Sequence, residues 1–271
     1  MKATNYIRHL FFVTGLSLIA GIGVCRSVSS AADGVTTAKR TGKPNALQHR
    51  AIAEIKKLDG RIEFDQTSSD SGVVKVFLQG SQVTDAVLVH LKELTKLKTL
   101  YLVNTQVTDA GLVHLQRMTK LQTLNLSNTQ ITDAGLVHVH LKTLTNLRWL
   151  SLMGTQITDA GLVHLKGLTK LQTLYLSHTQ ITDAGLVNLE GLTNLRTLYL
   201  GRKVSDAGLV YLKRLTRLRT LYLNRCEVTD AGLVHLTGLT RLQTLSLRNT
   251  KVTDAGVNQF GKTLPKCRIL R

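Results

Sequence analysis

The sequence predicts an α/β solenoid, a coil of strand–turn–helix cassettes, and three observations carry that prediction. One cassette recurs. Aligned on the first residue of L-x-x-L-x-L, units begin at Val73, Leu97, Leu121, Leu147, Leu171, Leu195, Leu218 and Leu242, with a ninth fragment at Cys267. Self-similarity at a fixed period of a few tens of residues is the signature of a stacked array. Each cassette also changes period midway. In "LKTLYL" (97–102), Leu100 and Leu102 alternate with Tyr101, which is strand spacing; Leu112, Leu115 and the apolar residue at 118 stand three apart, the stripe of a short helix. Finally, one cassette cannot fold alone. Ordering its backbone costs roughly 1–2 kcal/mol per residue. Its few apolar side chains return only about 1.5–3 kcal/mol each, so several neighbours must share a core.

Recurrence also decides what the acid and the imidazole in "TQITDAGLVHL" (155–165) mean. Asp159 and His164 diverge by roughly 140° around a helix. The same D-A-G-L-V-H stands at 109–114, 133–138 and 230–235, and at 85–90 with Val87 as the one change. A catalytic pair is made once; a motif made at every turn is architecture. Asp85, Asp109, Asp133, Asp159, Asp183, Asp206, Asp230 and Asp254 each follow Thr, or Ser205 once, just before the apolar helical stripe. That is the place of a helix cap, where a hydroxyl or carboxylate accepts from free N–H groups and negative charge suits the helix start. All eight Asp are read as structural caps. The glycine two residues later costs about 1 kcal/mol in a helix, and its return is close approach between units. Val87 predicts a less regular first unit.

Other columns read the same way. The ninth position holds Ser81, Thr105, Thr129, Thr155, Thr179, Cys226 and Thr250, and the 23-residue unit at Leu195 drops it. A hydroxyl or thiol there bonds backbone of the neighbouring turn, so Cys226 is a rung of the ladder, not a reactive thiol. Cys226 and Cys267 fall two strands apart, about 9–10 Å, beyond the roughly 7 Å that a disulfide spans. His90, His114, His138, His164 and His235 lie on the helices, whose axes sit about 8–10 Å apart. No metal site and no cofactor are expected.

The cassette L-x-x-L-x-L-x-x-T-x-[IV]-T-D-A-G-L-V-x-L-x-x-L-T-[KRN] resembles leucine-rich repeats. "ITDAGL" is similar to the cysteine-containing subtype of F-box substrate receptors, and closer to the short arrays of exported planctomycete-type proteins. The resemblance covers residues 73–271. It implies a right-handed leucine-rich-repeat solenoid with parallel strands on the concave face and short helices on the convex face. No F-box-like helical module precedes the array, so a substrate-receptor role is the weaker analogy.

On such a sheet the odd strand positions between the leucines project from the concave face. The fifth position reads Phe77, Tyr101, Asn125, Ser151, Tyr175, Tyr199, Tyr222 and Ser246, and Trp149 takes a third position otherwise mostly Thr. Tyr and Trp give contact area at low entropy cost and mark binding hot spots. Basic residues flank them, including Arg148, Arg196, Arg219 and Arg225, and arginine both stacks on rings and forks to acidic groups. The candidate ligand-binding set is therefore Trp149, Tyr175, Tyr199, Tyr222, Arg148, Arg196, Arg219 and Arg225.

The flanks and the charge bound the rest. Lys2 and Arg8, the apolar run "LFFVTGLSLIAGIGV" (10–24) and the small residues of "SVSSAA" (27–32) read as a signal peptide over 1–32. The run is short for a bilayer span of about 20 residues, so membrane attachment is expected only if this segment is kept. Residues 33–46 read as a flexible linker and 47–72 as an N-terminal helix/strand cap. The net charge is +18, and the 32 basic and 17 acidic residues beyond position 32 still balance to +15, which favours acidic partners. No Ser-His-Asp set, zinc spacing or phosphate loop stands outside the repeat columns, so no enzyme is expected, and an export signal argues against nucleic acid. The sequence points to a non-catalytic protein-binding module of the bacterial cell envelope, periplasmic or secreted, recognising an acidic protein. The alternative is a binder of anionic polymer or glycan.

Overall fold

The structure, a computed structural model, describes residues 45–66, 72–139 and 141–271. The stretch read as a signal peptide, nearly all of the linker and most of the turn at 68–72 lie outside the described residues. The first described element is helix α1 (Ala46–Lys57), closed at its start by an Asn45/Gln48 capping box. Strand β1 (Arg61–Phe64) pairs antiparallel with β2 (Val73–Gln79). Eight parallel strands follow, one per unit: β3 (Thr99–Val103), β4 (Thr123–Asn125), β5 (Trp149–Ser151), β6 (Thr173–Tyr175), β7 (Thr197–Tyr199), β8 (Thr220–Tyr222), β9 (Thr244–Ser246) and β10 (Arg268–Leu270). The ten form one sheet in chain order.

Register is strict. Leu100, Leu124, Leu150, Leu174, Leu198, Leu221 and Leu245 occupy one rung across seven strands, and every one is fully buried. Leu at positions one, four and six points inward, and the helix leucines (Leu112 and Leu115 in the second unit) meet it from the other side. The helical half is brief. Four of the eight units give four α-helical residues, such as Asp109–Leu112, and then a 3-10 turn, such as Val113–Leu115. This tighter winding matches a cassette with only about a dozen residues left after its strand and turn.

The structure moves the capping role from the carboxylate to the hydroxyl. In six units the Thr, or Ser205, is the N-cap and its oxygen accepts from the Ala N–H two residues on, at 3.2–3.4 Å. The Asp residues read as caps are the first helical residues, and seven of them reach into the following unit. Asp85, Asp109, Asp133, Asp159, Asp183, Asp206 and Asp230 each accept the backbone N–H of the next unit's Thr or Ser at 2.8 Å through Oδ1. Each takes the hydroxyl of the same residue through Oδ2 at 2.5–2.6 Å. The hydroxyl thus donates to one unit's carboxylate and accepts from its own helix. Charge-assisted bonds of this kind are worth roughly twice a neutral one.

This clamp explains the glycine. A Cβ on Gly161 would lie 2.3 Å from Asp133 Oδ1, and Gly111, Gly135, Gly185, Gly208, Gly232 and Gly256 face the preceding Asp at 2.1–2.3 Å. Val87 has α1, not an Asp, before it. It is buried in the core that includes Ala51 and Ile55, and its cap residue Thr84 makes no side-chain cap bond.

The ninth-position column also differs from expectation. The hydroxyls of Thr105, Thr129, Thr155, Thr179 and Thr250 donate to the carbonyl three residues back in their own unit, at 2.6–3.2 Å, not to the neighbouring turn. Cys226 is the one that crosses: its thiol donates to Gly201 O in the short unit, 3.2 Å away. Ser177 donates from the other side to Leu200 O at 3.2 Å. The unit that lacks a ninth residue is therefore bonded by both neighbours. Burial pushes the Cys226 thiol up to about 12, consistent with an inert thiol.

At Val252 and Asp254 the bonds are made by Arg271. Internal units offer a carbonyl to the next, as Val228 O does to Lys251 N. Val252 O, at the equivalent place, accepts from Arg271 Nη2 at 2.9 Å, and Asp254 pairs with Arg271 Nη1.

Three outcomes follow. Gly161→Ala, which ordinarily stabilises a helix, is expected to cost about 1–3 kcal/mol in urea unfolding, as overpacking does; in an Asp133→Ala background the penalty should shrink, leaving only the approach to Ile157 Cγ2 at 2.9 Å. Bonding to Thr253 holds the Asp230 carboxyl below its ordinary value of 3.8. A depressed carboxyl stabilises above the unfolded pKa and loses that contribution as pH falls through the folded one. Acid titration below about pH 4 should therefore unfold the wild type more steeply than Asp230→Asn. Arg271→Ala should speed amide exchange in Asp254–Thr263 while leaving the central units protected.

Candidate functional site

Strand positions three and five line one face of the sheet, and that face curves inward. Parallel strands sit about 4.8 Å apart. The rings of Tyr175 and Tyr199 are 4.3 Å apart and those of Tyr199 and Tyr222 are 4.0 Å apart, at interplanar angles of 18° and 9°. Side chains that converge more closely than their strands stand on a concave surface.

The aromatic strip is longer than the predicted set. It runs Phe77, Tyr101, Trp149, Tyr175, Tyr199, Tyr222, with centroid spacings from 4.0 to 5.8 Å. Phe77 and Tyr101 stand in the fifth-position column, but two polar residues interrupt that column after them, so it does not read as continuous. Trp149 closes the gap. Its indole lies 5.8 Å from Tyr101, two strands away, and 5.1 Å from Tyr175. It bridges the strands where the fifth position is only Asn125 and Ser151, both buried. Those polar groups are satisfied: Asn125 Oδ1 accepts from Ser127 N and Ser127 Oγ, and Ser127 Oγ lies 2.7 Å from Ser151 Oγ. At the other end Arg61 sits over the Phe77 ring, 5.4 Å from its centre.

Stacking fixes what the strip displays. Near-parallel rings about 4 Å apart cover each other's faces, so Tyr175, Tyr199 and Tyr222 present a comb of edges and hydroxyls. Burial raises the phenols of Tyr101, Tyr175 and Tyr199 above their ordinary value. They stay protonated, and the hydroxyls of Tyr175, Tyr199 and Tyr222 bond to one another along the strip. Ring edges carry positive quadrupole, so edges and O–H groups together suit oxygen acceptors.

The predicted arginines do not form one cluster. Arg148, Arg196 and Arg219 are exposed at the upstream rim, where the strands begin. Arg225 is on the downstream rim, in the turn after β8, with a left-handed backbone (φ 65°). Six residues separate Arg219 from Arg225, up to about 20 Å of extended chain. Tyr199 and Tyr222 lie between the rims. The candidate site is thus a trough with an aromatic floor and a basic wall on each side, Arg202 and Arg248 adding to the downstream one.

Carboxylates are segregated from this trough over its C-terminal half. From residue 145 onward there are 18 basic and 7 acidic residues. Asp159, Asp183, Asp206 and Asp230 are held in the inter-unit clamps, and Asp254 is paired with Arg271; of the other two, Glu190 follows the helical segment Asp183–Leu189 and exposed Glu227, two residues past Arg225, lies 4.0 Å from Lys251. At the N-terminal end the bases are neutralised: Glu63 pairs with Arg61 and Lys75, and Asp65 lies 3.7 Å from Lys98. The convex side carries His90, His114 and His164, partly buried, beside exposed His138 and His235. Among the described residues no three His, Cys, Asp or Glu side chains come together as a metal site, and no helix is long and apolar enough to cross a membrane.

Comparison with known proteins agrees with this geometry. The family described as Leucine Rich repeats (2 copies) matches residues 95–138, 145–186, 169–210 and 216–259. Internalin C2 of Listeria monocytogenes is similar in structure, with 24% identity and a TM-score of 0.59 over 88% of this chain and 99% of that one. A leucine-rich-repeat protein of Leptospira interrogans is similar over 67% of this chain and 50% of that one, with 23% identity and a TM-score of 0.51. These two likenesses show the fold. No curated protein matches the sequence. With its cassettes matched over more than half of its length, the chain belongs to the leucine-rich repeat family.

Proposed function

We propose that this chain is an exported, non-catalytic module that holds an acidic protein partner in its concave trough, at the cell envelope. Leucine-rich repeat proteins are typically protein-binding modules. The observation that carries the finer reading is the coincidence of three stacked tyrosines with arginines on both walls, in the half of the array where carboxylates are tied up elsewhere. The partner's acidic side chains pair with Arg196 and Arg219 on one wall and Arg225 on the other. Its oxygen acceptors meet the tyrosine comb. The apolar run at 10–24 supports export, and the net charge of +18 supports steering of an acidic partner.

Pulldown from envelope extracts tests this. Tyr199→Ala and Arg219→Ala should each weaken recovery of the partner by about thirtyfold in affinity, the size of a hot-spot loss. Tyr199→Phe, which keeps the stack, should cost less. Equal recovery by wild type and the Tyr199→Ala/Arg219→Ala variant sinks the concave site. A full-length chain that stays in the cytoplasm after fractionation sinks the envelope assignment.

A further inference from the structure

The upstream rim has a chemistry of its own, distinct from the trough floor. Its second-position residues read Gln122, Arg148, Gln172, Arg196, Arg219, Gln243, Arg268. Each is joined to the next by a backbone bond of 2.8 Å, from Arg148 N to Gln122 O through to Arg268 N to Gln243 O. The ladder fixes one amide or guanidinium per strand, about 4.8 Å apart, over six strand spacings or about 29 Å. A second row runs beside it, where each unit meets the next: Lys170, Arg217, Arg241 and Lys266, all exposed. Lys170 and Arg217 are steered by Asn146 and Asn194 of the preceding unit, at 2.8 and 2.5 Å. Among the described residues no ion pair joins any of these cations to a carboxylate. The rows flank a notch of about 330 Å³ lined by Arg219, Thr240, Arg241, Leu242, Gln243 and Lys266.

From this we infer that the upstream rim between Gln122 and Arg268 binds a linear acidic glycan, a sugar chain bearing carboxylate or sulfate groups, laid across the strand starts. Three features select that class. The surface is a narrow rail with no large apolar side chain exposed along it, unlike the core of a protein–protein interface. Amides are interspersed with guanidinium groups, Arg196 and Arg219 being the one adjacent pair of arginines, so hydroxyls and acid groups at short spacing are both served; an Asn or Gln side chain offers donor and acceptor together, while guanidinium forks to an acid group. Single-stranded nucleic acid needs open aromatic faces, and the neighbouring tyrosines cover one another's. The inference goes beyond the protein-binding reading. It shares Arg148, Arg196 and Arg219, the trough's upstream wall, with that reading, and adds residues outside the trough: Gln122, Gln172, Gln243 and Arg268 and the row from Lys170 to Lys266.

Size-graded oligogalacturonates and heparin-derived oligosaccharides, titrated against the full chain, test the rail and separate a carboxylated from a sulfated source. Affinity should rise with oligomer length until the chain spans the rail and then level off. It should fall steeply as salt increases from about 50 to about 300 mM. Arg241→Ala/Lys266→Ala, an exposed pair outside the trough, should weaken binding about three- to thirtyfold, and Gln172→Ala should weaken it further. Tyr199→Ala should leave it within about twofold, since the comb contributes no rail contact. If neither glycan series binds, if affinity ignores length, if Arg241→Ala/Lys266→Ala binds like wild type, or if single-stranded DNA of matched charge binds as tightly, the assignment is wrong. Loss of glycan binding in the rim variant with partner capture intact supports the rail without touching the trough. Loss of partner capture in Tyr199→Ala with glycan binding intact does the converse.

Discussion

A single contact holds the array in register: the carboxylate of one unit resting against the bare Cα of a glycine in the next. Backbone pairing between strands gives each unit a neighbour, and buried leucine gives it a reason to stay. Neither fixes how the helical halves approach. The Asp does. Its two oxygens take the N–H and the hydroxyl of the following Thr, and the missing Cβ lets it come close enough to do so. The cost of a glycine inside a short helix is repeated seven times because the gain is repeated with it.

That contact also shapes the electrostatics. A protein with twice as many basic as acidic residues spends eight of its carboxylates on the joints between units and on the terminal arginine. What remains for the outer surface is more basic than the net charge conveys. The joints lie where strand gives way to helix, far from the strand starts, so the upstream rim keeps its cations. The division between a clamped acidic seam and an open basic margin is therefore a product of the cassette, written once and copied along the coil. The aromatic strip is different. It depends on substitutions within the copies, above all Trp149, whose indole keeps the row of rings unbroken over Asn125 and Ser151.

Much of this was legible in the letters, and the exceptions have physical causes. Period, strand position and the inward leucines followed from spacing alone, because a ladder in register turns sequence columns into spatial rows. The near approach at glycine was also readable, as an unexplained cost in need of a partner. The identity of the partner was not. Thr and Asp adjoin each other and both cap helices, so only coordinates reveal that the hydroxyl serves its own helix while the acid serves the neighbour. Likewise the ninth-position hydroxyls could bond within or between units, and a column does not say which. That Arg219 and Arg225 flank the strip was readable; that they stand on opposite rims was not, because a list of columns does not give the distance along a strand and turn. Trp149 was found as an oddity, yet its reach across two strands comes from side-chain length, which no periodicity encodes.

The short unit beginning at Leu195 carries a consequence for descent. Most cassettes can follow any other, since each offers the same acid forward and the same glycine backward; such a coil can lengthen or shrink by duplication or loss of whole segments at little penalty. The segment around Gly201 is the exception. Its deletion is made good by Ser177 on one side and Cys226 on the other, so these three turns form a linked inheritance. Recombination that reshuffled the coil would carry them as a block, and a related chain with the same missing residue is expected to keep a small polar side chain and a thiol or hydroxyl beside it.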